Sequence, residues 1–335
     1  MKKIGLVLVD DWELRGNGSG SVLEFQRKPA LKLMDAYESC GVKGSFTVEV
    51  LQQLAFEKFA PDYPEIKSEA EWWKDTVREF ISRGHDAQLH LHIQWHEARY
   101  RDGVWELSKV WSIAQYPAEA VDPAVKAGKD YLIDLIRPLK PEHRIQVFRA
   151  GGWAMQPSRV ILEALSREGI EIDISVNLGF YCREPKLPVD YRRLEEPDFP
   201  YYPDFDDITR VAGEPAPLLE VPTQTLIPKL PFWQEWAAQL QGKSRRAPFN
   251  LSGLTLEQMK AGIKPILEKF LASPLEFVPL VLENHTKDQN NFEEVRRFID
   301  FVQRTWGENA EFITLTQMRD KIAQNPQKLV RSKHE

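Results

Sequence analysis

Apolar residues recur along this chain at two spacings, one near two residues and one near three to four. Residues 4–9, Ile-Gly-Leu-Val-Leu-Val, form an almost unbroken apolar run, as expected of a strand covered on both faces of a parallel sheet. Residues 29–39 place Ala30, Leu31, Leu33, Met34 and Tyr37 at helical spacing and stop at Cys40-Gly41. Residues 44–48 read as a strand. Residues 69–82 read as a helix with Trp72, Trp73, Val77, Phe80 and Ile81 on its buried side. The strand that follows, Leu89-His90-Leu91-His92-Ile93, alternates with period two. Its two histidines therefore share one face and its three aliphatic residues the other.

The alternation of strand and helix continues. Residues 124–136, 158–168, 256–271 and 292–304 read as helices, and residues 145–148, 172–176, 218–221, 277–282 and 312–314 as strands. Repeated β–α units imply a parallel sheet, and so many of them in one chain imply an α/β barrel. Two stretches, near residues 185–217 and 230–250, break the rhythm with Pro, Tyr, Asp and basic residues; the second contains a short helical stretch at 232–240 and a basic loop at 243–246. Neither has an apolar core of its own, so both read as loop insertions in one domain spanning residues 1–325. Residues 326–335 form a charged tail, frayed from about 328 onward.

Composition narrows the function. Among 335 residues, 42% are hydrophobic and 28% charged, the balance of an ordinary globular protein. A net charge of −6 without a long basic run argues against nucleic acid as a partner. The N-terminal apolar run is interrupted by Asp10 and Asp11, unlike a secretory signal, and no run is long enough for a transmembrane helix. Cys40 and Cys182 form no spaced motif and read as free thiols, so a cytoplasmic location is expected. A homo-oligomer is compatible with all of this.

Four of the seven histidines, His85, His90, His92 and His96, lie within twelve residues. Paired imidazoles on one strand face look like half of a metal site. His85 follows Arg83-Gly84, a helix-ending signal, and reads as a junction residue; His96 is a reserve candidate. The other half lies at the end of the first strand, where Asp10 and Asp11 stand together. One carboxylate with two histidines leaves coordination positions free for water and substrate, and the second carboxylate is then available to accept a proton. Other strand ends deliver Arg149 before Gly151-Gly152-Trp153, Asp173 and Ser175, and Glu283-Asn284-His285. In a parallel barrel such ends gather at one rim. Arg149 is suited to anchoring a carboxylate, and His285 is a candidate general acid.

Taken in order, these residues resemble the polysaccharide deacetylases of carbohydrate esterase family four. Val9-Asp10-Asp11 is similar to the first motif, Gly84-His85-Asp86 through His90-Leu91-His92 to the second, Arg149-Ala150-Gly151-Gly152-Trp153 to the third, Ile172-Asp173-Ile174-Ser175 to the fourth, and Leu282-Glu283-Asn284-His285 to the last. The second motif is a variant, with His-x-His where the family spaces its metal histidines four apart; Gln94 stands at the usual second position. The resemblance implies a distorted (β/α)7-type barrel and a divalent metal, zinc first, with cobalt, manganese, nickel or iron as alternatives. It assigns Asp11, His90 and His92 as metal ligands, Asp10 as base, His285 as acid, and Arg149 as the residue that orients Asp10. Trp153, Trp95 and Asp173 would line the substrate site, with Trp12 a further candidate for its apolar wall.

The expected reaction is hydrolysis of an N-acetyl group on an amino sugar or glycan precursor. A small non-sugar amide or imide is the alternative substrate, and a metal-free carbohydrate-binding relative is the alternative of another class.

Overall fold

The computed structural model describes residues 3–194, 200–212, 215–227, 246–273 and 275–324. Eight strands make one sheet: β1 (Ile4–Trp12), β2 (Ser45–Glu49), β3 (Asp86–Leu91), β4 (Val147–Ala150), β5 (Ile172–Asp173), β6 (Leu219–Glu220), β7 (Val278–His285) and β8 (Ala310–Phe312). Their order is β6-β5-β4-β3-β2-β1-β7, with β8 added to the start of β1, and every pairing is parallel. Thr223, just past β6, forms parallel bridges to Asn177 and to Val281 of β7, and the N–H of Gln224 donates to the Val281 carbonyl at 2.9 Å. The sheet is thereby curled into the expected distorted (β/α)7 barrel.

All nine residues of β1 are buried, because the two faces of the sheet meet two different cores. Val7, Val9, Val147, Ile172, Ile174, Leu219, Val221 and Val281 cluster inside the curl. Leu6, Leu8, Phe46, Leu89, Leu91 and Phe148 join the larger core under the helices. These helices include α1 (Lys28–Ser39), α2 (Val50–Phe59), α3 (Pro64–Ser82), α4 (Ala118–Ile136), α5 (Arg159–Arg167), α6 (Leu256–Ala272), α7 (Phe292–Trp306) and α8 (Leu315–Gln324).

Among the described residues the expected elements recur with ends shifted by a few residues, and α2 and α8 are additions with no counterpart in the hydrophobic pattern. Helix α2 follows β2 without a turn residue between them. Glu49 closes the strand and caps the helix, accepting from the Gln52 N–H at 3.2 Å. An apolar run that changes from strand to helix at one residue shows neither period over a useful length.

The excursion near 185–217, with the residues just before it, forms short two-stranded ribbons among its described residues, Tyr181–Cys182 with Val189–Asp190 and Pro203–Asp204 with Asp207–Val211. A hairpin of Arg99–Arg101 and Val104–Glu106 was not legible in the pattern. The expected helix at 232–240, most of the basic loop at 243–246 and the charged tail lie outside the described residues.

Candidate metal and catalytic site

The pleat of β1 separates its two adjacent aspartates. Asp10 pairs in register with Phe46 and Asn284, Asp11 with Thr47 and His285. Asp10 faces the helices: it accepts from Asn284 Nδ2 at 2.6 Å and from the Tyr37 hydroxyl of α1 at 2.9 Å. Burial raises its pKa to about 7. Asp11 faces the curl of the sheet. So does Glu13, two residues on, while Trp12 between them is buried outward against Trp73 and Phe80.

The buried group able to hold a metal among the described residues is Glu13, His90 and His92, whose ligand atoms all lie within 4.8 Å of one another. Asp11, the expected ligand, is not part of it. His90 Nδ1 lies 2.9 Å from the Arg149 carbonyl, which only accepts, so Nδ1 carries the proton and Nε2 keeps its lone pair. Gln94 Nε2 donates to the Gly16 carbonyl at 2.7 Å, which turns Oε1 toward His92 Nδ1 at 3.3 Å and leaves the Nε2 lone pair of His92 free as well. Among the described residues His92 Nε2 has no hydrogen-bond partner and lies against the Glu13 carboxylate, which is also 3.3 Å from His90 Nε2. Three buried acceptor atoms facing one another repel unless protons or a cation lie between them. Two imidazole nitrogens and one carboxylate oxygen suit zinc and its neighbours, so these residues fit the divalent metal that the sequence implies.

Supporting groups fix each ligand. Lys287 pairs with the far oxygen of Glu13. Burial alone would raise the Glu13 pKa, but neighbouring positive charge, that of Lys287 included, outweighs it and holds the carboxyl well below its ordinary value. Glu49 accepts from the backbone N–H of His92 while capping α2. Gly151 leaves room for the imidazole: a Cβ there would stand 2.6 Å from the His92 ring.

Beside this cluster, Arg149 is fully buried. Its Nε contacts both Asp11 oxygens at 2.7 and 3.0 Å, Nη1 donates to the Ile174 carbonyl at 2.8 Å and to Thr223 at 3.0 Å, and Nη2 pairs with Glu283. Thr47 donates to Asp11 at 2.7 Å. Burial opposes ionisation of Asp11, but the positive charge of Arg149 dominates and lowers its pKa. His285 Nε2 lies 3.6 Å from Asp11. The Trp153 ring sits 6.0 Å from His285 and 5.3 Å from Phe180, on a backbone with φ of 61°, a costly value for a residue with a side chain.

Two expected substrate contacts lie elsewhere. Asp173 pairs in register with Phe148 and Glu220, on the helix-facing side of the sheet, and accepts from Ser175 at 2.5 Å. Trp95 is buried against Phe56 and Trp105, and Trp12 belongs to the outer core. His96 is exposed. His85 joins elements away from the cluster, accepting from the Gly44 N–H at 3.0 Å and lying 3.2 Å from Glu38. Glu13 was missed by the sequence reading, although Asp11-x-Glu13 shows the same period-two spacing as His90-x-His92. Lys287, Glu49 and Asn250 carried no such signal.

The fold and centre define a class: a (β/α)7 barrel whose strand ends carry a buried histidine–carboxylate group beside an arginine-held aspartate. No family model and no curated protein matches the sequence. Solved structures match in fold. A protein assigned as a polysaccharide deacetylase from Mycobacterium smegmatis superposes with a TM-score of 0.55 at 13% identity, over 100% of this chain and 95% of that one. The PuuE allantoinase gives 0.53 at 11%, over 97% and 92%. A 4-alpha-glucanotransferase from Thermococcus litoralis gives 0.53 at 15%, over 96% of this chain but 41% of that one. At such identities the likeness is one of fold alone: the chain shares its curled, parallel (β/α) barrel with these structures.

Proposed function

We propose that this protein is a metal-dependent amide hydrolase that removes an N-acetyl group from an amino sugar or glycan precursor. The observation that carries this reading is the convergence of Glu13, His90 and His92 beside the Asp11–Arg149 pair. The barrel of the deacetylases and the Trp153–Phe180 wall support it. The metal ligands on this reading are Glu13, His90 and His92; when bound, a divalent metal would polarise the attacking water and the amide carbonyl.

Asp11, held ionised by Arg149, accepts the proton of that water as its oxygen attacks the amide carbon. Arg149 also fixes the direction in which Asp11 presents its oxygens. His285 stands across from Asp11 with an N–H for the reacting group, and Trp153 offers an apolar face to a sugar ring. Asp10, assigned as base by the resemblance, is replaced by Asp11 because it faces the helices. Free Cys40 and Cys182 favour a reducing compartment and hence a soluble precursor in the cytoplasm as substrate. The likeness to an allantoinase favours, as a second reading, a small cyclic amide.

Purified protein assayed for metal content and against both N-acetylated sugars and cyclic amides tests these readings. Asp11→Asn should keep the metal and cut turnover by roughly 10²–10⁴, whereas Asp10→Asn should stay within about tenfold of wild type. Glu13→Gln should lose metal. A protein that neither contains nor takes up metal would leave only the non-catalytic alternative, and collapse of turnover in Asp10→Asn alone would restore the original assignment.

A further inference from the structure

Asn250, from the segment between β6 and α6, decides the protonation state of His285. Its Oδ1 accepts from the backbone N–H of Ser252 at 3.1 Å and from the Ser252 hydroxyl at 2.8 Å. A backbone N–H can only donate, so the amide oxygen must face Ser252 and the NH2 group must face the other way. That NH2 lies 3.0 Å from His285 Nδ1. It has protons to give and no lone pair to receive one. His285 Nδ1 is therefore an acceptor, and the ring proton sits on Nε2. An imidazolium would carry a second N–H at Nδ1 and set two donors against each other at 3.0 Å.

The remaining neighbours do not reverse this. Glu283 Oε1 is 4.0 Å from Nδ1, beyond hydrogen-bond reach. Asp11 and Glu13 favour the charged ring, but burial and the positive charges of Lys287 and Arg149 prevail, and the His285 pKa is pressed down to about 4. His285 thus lacks the proton that a general acid would hand to a departing amine near neutral pH.

We propose that His285 acts as a neutral Nε2–H donor to the substrate oxygen, and that Asp11 carries the reaction's proton in both directions. The catalytic part rests on the amide-hydrolase reading; the tautomer does not. One water proton passes to Asp11 as the C–O bond forms. The C–N bond then breaks, the nitrogen takes that proton, and Asp11 returns to carboxylate. Amide and water become carboxylic acid and amine with no proton drawn from His285. While the former carbonyl oxygen bears negative charge, the Nε2–H steadies it, a role for which a neutral imidazole suffices.

The experiment is 15N NMR of histidine-labelled protein between pH 5 and 8, with His285→Gln to assign the signals. The expected result is a neutral Nε2–H tautomer throughout; an imidazolium or an Nδ1–H tautomer at pH 7 overturns the proposal. Asn250→Asp should place an acceptor at Nδ1 and bring the imidazolium into the neutral range, whereas an unchanged spectrum would deny Asn250 its role. In turnover, His285→Ala should lose about 10²–10³, and His285→Gln, which keeps an N–H but cannot act as an acid, should recover about tenfold of that loss. Equal loss in both variants would reinstate the acid. If no amide is hydrolysed by the wild type, the functional reading fails while the NMR result still decides the tautomer.

Discussion

At the scale of single residues, the site is governed by which atoms have lone pairs and which have protons. His90 and His92 present Nε2 because the Arg149 carbonyl and Gln94 Oε1 engage Nδ1. His285 is the reverse case, with Asn250 donating to Nδ1. The identity of the hydrogen-bond partner, rather than the histidine itself, separates ligand from donor. Space matters equally. A methyl group at residue 151 would press on the His92 ring and, at 2.8 Å, on the Leu91 carbonyl. Gly151→Ala should therefore weaken metal affinity by about 10–100-fold, as displaced supporting groups do, in a calorimetric titration with zinc. Unaltered affinity would remove His92 from the ligand set.

At the scale of elements, each functional side chain depends on the pleat of a strand or on a junction. Strand β1 sends Asp11 inward and Asp10 outward, and Glu13 just past its end continues the inward face; one residue of slippage would exchange the two faces. His85 shows what a junction histidine does. It ties the start of β3 to Gly44 and to Glu38 of α1, and burial presses its pKa down to about 4. The unfolded chain takes up this proton below about pH 6.5, while the folded chain resists until about pH 4. Stability from this group is thus complete above pH 6.5 and falls as the pH drops, by on the order of 3 kcal/mol at its limit. Glu38, held to about 2 chiefly by its hydrogen bond from Arg83, loses its own contribution mostly below that window. Urea denaturation at pH 7 and 4.5 should show a smaller loss in His85→Gln than in wild type. Parallel losses would mean that His85 is not the responsible group.

At the scale of the molecule, the candidate centre joins distant parts of the chain. Glu13 follows β1, His90 and His92 belong to β3 and its end, and Lys287 follows β7. A ligand bound only by the folded state stabilises it by about 2.7 kcal/mol at a hundredfold excess over Kd. Zinc should accordingly raise Tm by several degrees and a chelator should reverse the rise, with His92→Ala insensitive to both. A Tm indifferent to every divalent metal tried would count against the metal reading.

The sequence by itself determined the alternation of strands and helices, the barrel class, and the gathering of Asp11, His90, Arg149 and His285 at strand ends, because period and strand order are local properties. It also displayed Glu13 at the right spacing, two residues past Asp11. Tertiary structure alone decided that Asp10 faces α1, that Asp173 and Trp95 are buried away from the centre, and that Lys287 and Asn250 serve it. Those outcomes depend on which residues from remote segments supply a charge or a proton across the curl of the sheet, and no spacing along the chain encodes that.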